Sequence, residues 1–400
     1  MPLVFTPIDA AVLARGITNA AARGSDGLWL STESRRQQHA GSLAADLERH
    51  ADAHRGVGGI VYLLSRLALR GPPAPAVVAQ TETAVRWLTG QQPTLPGLFF
   101  GSAGMALALG RSVEAGLVGG DEALSAVERW LSAETFDWPD ITHGAAGQGL
   151  AALRCARIFD RPTLGLAARA AAAHLMETQH PDGWWRLPPG VDGMSGQILT
   201  GFAHGVAGIS YFLAAHAAET DDQPSLDAAR RGADWLLTIG EPGEARGAES
   251  GSLCWPYALD VPQPWQWWCH GSAGIALLFL KLFETTEEQR WADAARGALA
   301  YSRLVPGVNL GLCHGLAGCG EIWLEAWRVL GDIEALRKAQ EIGAVIQAQA
   351  GGPHGAKAPT WLVESEWSPT ADLMTGGGGI AHFLNNLALG DRGVGFPLLR

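Results

Sequence analysis

The chain has 400 residues, 47% apolar and 17% charged, which excludes an intrinsically disordered polymer and allows a large buried interior. Its 29 Lys and Arg against 40 Asp and Glu leave a formal charge of −11, arguing against a nucleic-acid backbone or an anionic membrane surface as partner. Glycine is the anomaly, with 52 residues against a usual share of ~7%.

The opening Met1-Pro2-Leu3-Val4-Phe5 has no basic segment followed by an apolar core, so no secretion signal is read there. Residues 1–50, with Arg35, Arg36 and mixed charge, read as a helical N-terminal cap within the same domain as the rest. From residue 51 to 400 one repeat dominates. Gly-x-x-Gly followed by an apolar run occurs seven times, with first glycines at 56, 101, 144, 205, 271, 315 and 376. The intervals of 43 to 66 residues each hold two helices and their connections.

Runs such as Ile60–Leu64 and Ile275–Leu280 are apolar nearly all round, as inner, doubly covered helices should be. More polar, Ala-rich stretches follow them. Asp160-Arg-Pro162 is expected to open one, with Asp160 as N-cap, running to about Met176. Thr285-x-x-Glu288 reads as a capping box opening another, and Gly331-Asp332 precedes a third, Ile333 to about Gln349. The run Ala273–Leu280 stops at Lys281, far short of the ~20 residues a bilayer requires. Alternating strand patterns are absent. The prediction is an all-α toroid of seven helical hairpins, an inner ring within an outer one, closed because no polar capping repeat marks either end.

If the seven motifs surround one opening, the residues just before each first glycine carry the chemistry. They read Trp267-Trp268-Cys269-His270 in copy five, Leu312-Cys313-His314 in copy six, Phe202-Ala203-His204 in copy four and Asp140-Ile141-Thr142-His143 in copy three. Five cysteines, odd in number, do not make a disulfide framework, and they point to reduced thiols and the cytoplasm. Two thiolates and an imidazole suit a tetrahedral zinc ion with a fourth position open, as in catalytic sites. The assignment is Cys269, Cys313 and His314, with His270 as rival ligand. Such a zinc suits the activation of another thiol, because coordination deprotonates a group of free pKa ~8.5. His204, Asp140 and His143 are then the candidates for moving protons.

These residues, in this order, resemble the lanthionine synthetase C-like family. The resemblance covers residues 50 to 390 and rests on the seven Gly-x-x-Gly copies, Trp268-Cys269-His270-Gly271, Cys313-His314-Gly315 and Ala203-His204-Gly205. It implies a seven-hairpin α/α toroid with one zinc per chain. The implied activity is addition of peptide cysteines to dehydroalanine or dehydrobutyrine, which makes the thioether rings of lanthipeptides. Residue by residue, the zinc ligands match Cys269, Cys313 and His314, and the catalytic pair matches His204 and Asp140. One departure stands out: some members carry an arginine shortly before the copy-five cysteine, where this chain has Pro264-Trp265-Gln266-Trp267. Trp-rich stretches around Trp184-Trp185 and Trp255–Trp268 read either as walls for a peptide or as plugs of the barrel.

With Met1 taken as the start, no room is left for a dehydratase module ahead of the repeat. The expectation is a free-standing cyclase in the cytoplasm, acting on a dehydrated precursor peptide beside a separate dehydratase. Rival readings are a zinc–thiolate enzyme that alkylates cysteine or glutathione, and a non-catalytic peptide-binding member of the family. A glycosidase is disfavoured because the decorated positions are thiol and imidazole rather than paired acids.

Overall fold

The computed structural model describes residues 4–20, 23–32, 47–132, 136–189, 193–302, 309–351, 359–363, 369–390 and 395–400, so Arg35 and Arg36 lie outside the described residues. The helices in chain order are α1 (Ala10–Ala20), α2 (Val57–Ala68), α3 (Pro75–Thr89), α4 (Ser102–Glu114), α5 (Gly120–Leu131), α6 (Ala145–Ile158) and α7 (Gly165–Thr178). They continue with α8 (Val206–Thr220), α9 (Gln223–Ile239), α10 (Ser272–Thr286), α11 (Gln289–Tyr301), α12 (Leu316–Leu330), α13 (Ile333–Ala348) and α14 (Gly377–Leu389). Strands among the described residues are two to four residues long and form three separate two-stranded ladders. One of them, Pro256–Ala258 with Val261–Pro264, lies in the long loop ahead of copy five.

Every Gly-x-x-Gly starts an inner helix, and every inner helix starts the same way. No side chain caps these N-termini. Instead the chain doubles back, and the first helical N–H bonds the carbonyl seven residues earlier: Val57 to His50, Ser102 to Leu95, Ala145 to Trp138, Val206 to Leu199, Ser272 to Trp265, Leu316 to Asn309 and Gly377 to Thr370. The loop thus satisfies donors that a helix start leaves open.

The second glycine of each motif is a contact point between copies. A Cβ on Gly208 would lie 2.0 Å from the Phe202 carbonyl of its own loop and 3.1 Å from Ile141 of the loop before. On Gly104 it would lie 2.0 Å from the Leu98 carbonyl and 2.7 Å from Ala53, and on Gly59 it would lie 2.8 Å from Leu373, so copy seven packs on copy one. Glycine is required there for close approach. Hydrogen bonds close the same circle: Met374 N–H to His54 O, His54 N–H to Phe99 O, Phe99 N–H to Thr142 O, Ala203 N–H to Cys269 O, Cys269 N–H to Cys313 O, and Cys313 N–H to Met374 O. The remaining link is made by a side chain, the Thr142 hydroxyl donating to Ala203 O at 2.6 Å.

Inner helices are buried on all sides; α8 is buried continuously from Val206 to Ala217. Outer helices bury one stripe, as in α9 with Ser225, Ala228, Ala229, Gly232, Ala233 and Leu236. The inner helices pack in sequence from α2 to α14 and back to α2, while α3, α5, α7, α9, α11 and α13 lie outside them. The outer place beside α14 and α2 is taken by α1, from the other end of the chain. The architecture is an all-α toroid.

Two local expectations fail. Asp160 is not an N-cap: it adopts φ 51° in a left-handed turn, and a short 3₁₀ turn, Pro162–Leu164, precedes α7. Thr285 and Glu288 do not form a capping box, because α10 runs on through Thr286 and α11 begins only at Gln289. The apolar face of α10 extends the helix past the point where the local signal would start a new one. Asp332 does cap α13, accepting from the Glu334 N–H at 3.0 Å.

The tryptophans divide between the two readings. Trp185 and Trp255 are buried, their indole N–H groups donating to Leu175 O and Leu236 O behind the outer helices. Trp268 plugs the ring: it packs edge-on to Phe99 (4.8 Å) and stacks on Phe396 (4.9 Å). The segment 395–400 enters from the far end, held by Arg154 to Leu399 O (2.9 Å) and Arg111 to Arg400 O (2.6 Å). Among the described residues, Trp268, Phe396 and this segment therefore fill the ring behind the loops that start the inner helices. Among the described residues no helix is long and apolar enough to cross a membrane.

Candidate metal centre and proton-transfer site

Seven loops of identical register meet at the mouth, so two positions matter in each copy. The residue two before the first glycine lies in the hydrogen-bonded circle. The residue immediately before it forms an arc of neighbouring side chains. In the arc the Arg55 guanidinium lies 5.9 Å from the Phe100 ring centre, Phe100 stacks on His143 (5.3 Å), His143 on His204 (4.9 Å), and His204 leans on His270 (5.5 Å). All seven inner helices direct their N-terminal, positive ends toward this mouth, a field that favours thiolates and other anions.

On one side the circle supplies sulfur. Cys269, Cys313 and His314 bring their donor atoms within 4.8 Å of one another, and both cysteines are buried. These come from copies five and six, 44 residues apart by sequence. Burial alone does not make a cysteine ionisable: it pushes Cys155 up to about 12 and Cys319 up to about 11. Cys269 is just as buried but is pulled well below the ordinary thiol value, first by its hydrogen bond with Cys313 and then, against burial, by His314. A set of two thiols, one ready to ionise, and one imidazole fits Zn²⁺.

Copy five differs from the others in its backbone. The first glycine of the other copies has φ between −107° and −149°, whereas Gly271 has φ 124°. A Cβ there would lie 2.2 Å from Trp265 O. His270 stands apart from the sulfur group, between His204 and Tyr257 (4.5 Å), and burial lowers it to about 4.

On the other side the mouth carries a carboxylate. Asp140 is fully buried. Its Oδ1 accepts the His143 backbone N–H at 2.7 Å, and its Oδ2 faces His204 Nδ1 at 2.7 Å and His143 Nδ1 at 3.1 Å. Burial would raise this carboxyl, but the bonds from His143 and His204 outweigh it and hold Asp140 well below the usual range. With both Nδ1 atoms turned to Asp140, Nε2 is the proton-transfer atom of each ring.

Three mouth residues escaped the motif reading. Asp52, like Asp140, lies four before its glycine and accepts the His54 and Arg55 N–H groups at 2.9 Å each. His54 is held neutral, well below the ordinary value, first by burial and then by the nearby charges of Arg55, His314, His204 and His143. Arg55 keeps its Nε buried without a hydrogen-bond partner. The signal was present, since His54-Arg55 occupies in copy one the register of Cys269-His270 in copy five. The stretch Pro264–Trp267 instead ends the strand Val261–Pro264 and builds an aromatic wall in which Trp265 and Tyr257 lie near His270.

Comparison with known proteins follows the same lines. A family model described as "Lanthionine synthetase C-like protein" matches residues 50–397. Glutathione S-transferase LANCL1 of Danio rerio is 28% identical over 145 residues, 35% of this chain and 33% of that protein, so the match spans about a third of the relative. Nisin cyclase has the same fold, with TM-score 0.62 at 16% identity over 86% of this chain and 89% of its own. A GH76 α-mannanase of Bacteroides thetaiotaomicron reaches TM-score 0.52 at 11% identity over 96% of each chain, so the toroid is shared with proteins of other chemistry. The match of residues 50–397 makes this chain a member of the lanthionine synthetase C-like family.

Proposed function

We propose that the protein is a zinc-dependent lanthipeptide cyclase that adds peptide cysteine thiols to dehydroalanine or dehydrobutyrine. One observation carries the reading: a Cys269–Cys313–His314 donor set and an Asp140-anchored His204 stand at one mouth. One zinc per chain, held by Cys269, Cys313 and His314, would supply an incoming sulfur in thiolate form at neutral pH.

The remaining work falls to the chain's own residues. Asp140 fixes the His204 ring so that Nε2 faces the mouth and takes the proton released by the thiol. The sulfur bonds to Cβ of the dehydro residue, and the π pair moves onto the carbonyl oxygen as an enolate. Arg55, the guanidinium of the same arc, offsets that charge. His204 then returns its proton to Cα and the carbonyl re-forms, so one proton has moved from sulfur to carbon. The plugged floor keeps the peptide at the mouth, where Trp265 and Tyr257 offer apolar contact.

The substrate in this reading is a dehydrated precursor peptide made by a separate dehydratase, and the setting is the reducing cytoplasm. A second reading has one support, the name of the Danio rerio relative: intermolecular addition of glutathione. Mass spectrometry separates them. Cyclisation consumes a peptide thiol without changing the mass of the dehydrated peptide, whereas glutathione addition raises it by the mass of the tripeptide. Purified chain that closes no ring on a dehydrated cysteine peptide, with zinc bound, overturns the first reading.

A further inference from the structure

We propose that Asp140, His143 and His204 form a second divalent-cation site, filled only after the thiolate site and inhibitory when filled. The three donor atoms, one carboxylate oxygen and two imidazole nitrogens, lie within 4.8 Å of one another. Asp140 Oδ2 is 2.7 Å from His204 Nδ1 and 3.1 Å from His143 Nδ1, so both rings turn the same nitrogen toward one carboxylate oxygen.

The set is built rather than incidental. The His143 backbone N–H locks Asp140 Oδ1 at 2.7 Å, which leaves Oδ2 facing both rings. The two imidazoles stack at 4.9 Å and 22°, and His143 is held from its other faces by Phe100 (5.3 Å) and Trp138 (5.3 Å). An arriving ion takes the place of the hydrogen-bonded protons and shifts Asp140 Oδ2 off the two nitrogens. Each ring coordinates through Nδ1 once the proton there has left or moved to Nε2. Two imidazoles and one carboxylate suit Zn²⁺, Co²⁺, Fe²⁺ or Mn²⁺.

Donor softness sets the order of filling. The two thiolates on the other side of the mouth bind Zn²⁺ more tightly than a single carboxylate, so the first ion goes to Cys269, Cys313 and His314. The second takes Asp140 and His204, the pair to which the proposed cyclase reaction assigns proton transfer. The inhibition therefore rests on that reading, whereas the binding does not.

The test is a titration of metal-free protein with Zn²⁺ and, separately, Co²⁺. Wild type takes up about two ions per chain, the second more weakly; His143→Ala and Asp140→Asn take up about one. With Co²⁺ the first ion gives intense thiolate-to-cobalt absorption, and the second adds only weak visible bands that are missing in both variants. The thiolate band also reports that a variant has folded its mouth. A wild type that saturates at one ion overturns the proposal, and so does a His143→Ala chain that still takes two. In a cyclisation assay, Zn²⁺ beyond the first ion lowers wild-type turnover, and undiminished turnover with two ions bound removes the inhibitory role. If no cyclisation occurs at all, the metal counts and cobalt spectra still decide the site.

Discussion

The two halves of the mouth use one backbone for different chemistry. Copies three to six share the seven-residue loop and place a histidine immediately before the first glycine. One step earlier they differ: Thr142 and Ala203 on the carboxylate side, Cys269 and Cys313 on the sulfur side. On the sulfur side the circle runs through backbone, Cys269 N–H to Cys313 O at 3.2 Å, which brings two thiols together. On the carboxylate side it passes through the Thr142 hydroxyl, and a buried Asp140 lies beneath both rings. A repeated loop fixes where side chains stand, and the residue two before the glycine decides whether a soft metal ligand stands beside the shared histidine.

The comparison breaks most visibly if the sulfur side is removed. Cys313→Ala is expected to lose zinc, seen by metal analysis, and to lower cyclisation by more than the ~10²–10⁴-fold a proton-transfer residue contributes. His204→Ala should cost about 10²–10⁴-fold in turnover while zinc content stays at wild type. A His204→Ala chain that loses its zinc as well as its turnover would show the halves to be one unit.

Asp52 and Asp140 sharpen the point, because each lies four before its glycine and accepts the backbone N–H of the residue just before that glycine, Arg55 and His143. Only Asp140 has a histidine from the next copy against its second oxygen. Asp140→Asn is therefore expected to approach the His204→Ala loss of about 10²–10⁴-fold, and Asp52→Asn to leave turnover within about tenfold, both read as kcat at saturating peptide.

Stability effects follow. Gly208→Ala forces a methyl to 2.0 Å from Phe202 O and should cost about 1–3 kcal/mol or more in a denaturant titration. Gly165→Ala, where nothing lies within 4 Å, should be nearly neutral. The smallest effect is on acid stability. His270 falls from 6.5 to about 4 on folding because burial disfavours its charge. The unfolded chain then binds the extra proton, so stability is lost as the pH drops from about 6.5 toward 4. His270→Gln should make that leg shallower without removing it, since His54 shifts the same way.

Much of this was legible in one dimension. Glycine pairs at seven regular stations announce close helix contacts, because no other residue lets a backbone carbonyl approach to the distances seen at Gly104 and Gly208. The two Cys-His dipeptides announced the soft donor group for similar reasons of chemistry. The local helix starts at Asp160 and Thr285 were misread because packing of α6 and α10 overrode short-range capping signals. Arg55 and His54 were missed since neither belongs to a thiol or a His-Gly pair, and only the shared register with copy five gives them meaning.

By itself the sequence determined the repeat, the helical class and the donor types, all of which follow from side-chain size, periodicity and ligand chemistry. It left open which outer helix completes the ring, which of His270 and His314 joins the sulfurs, and what Asp140 touches. Those answers depend on residues tens to hundreds of positions apart. Such meetings are set by how the copies close on one another, a property of the whole circle that no single copy contains.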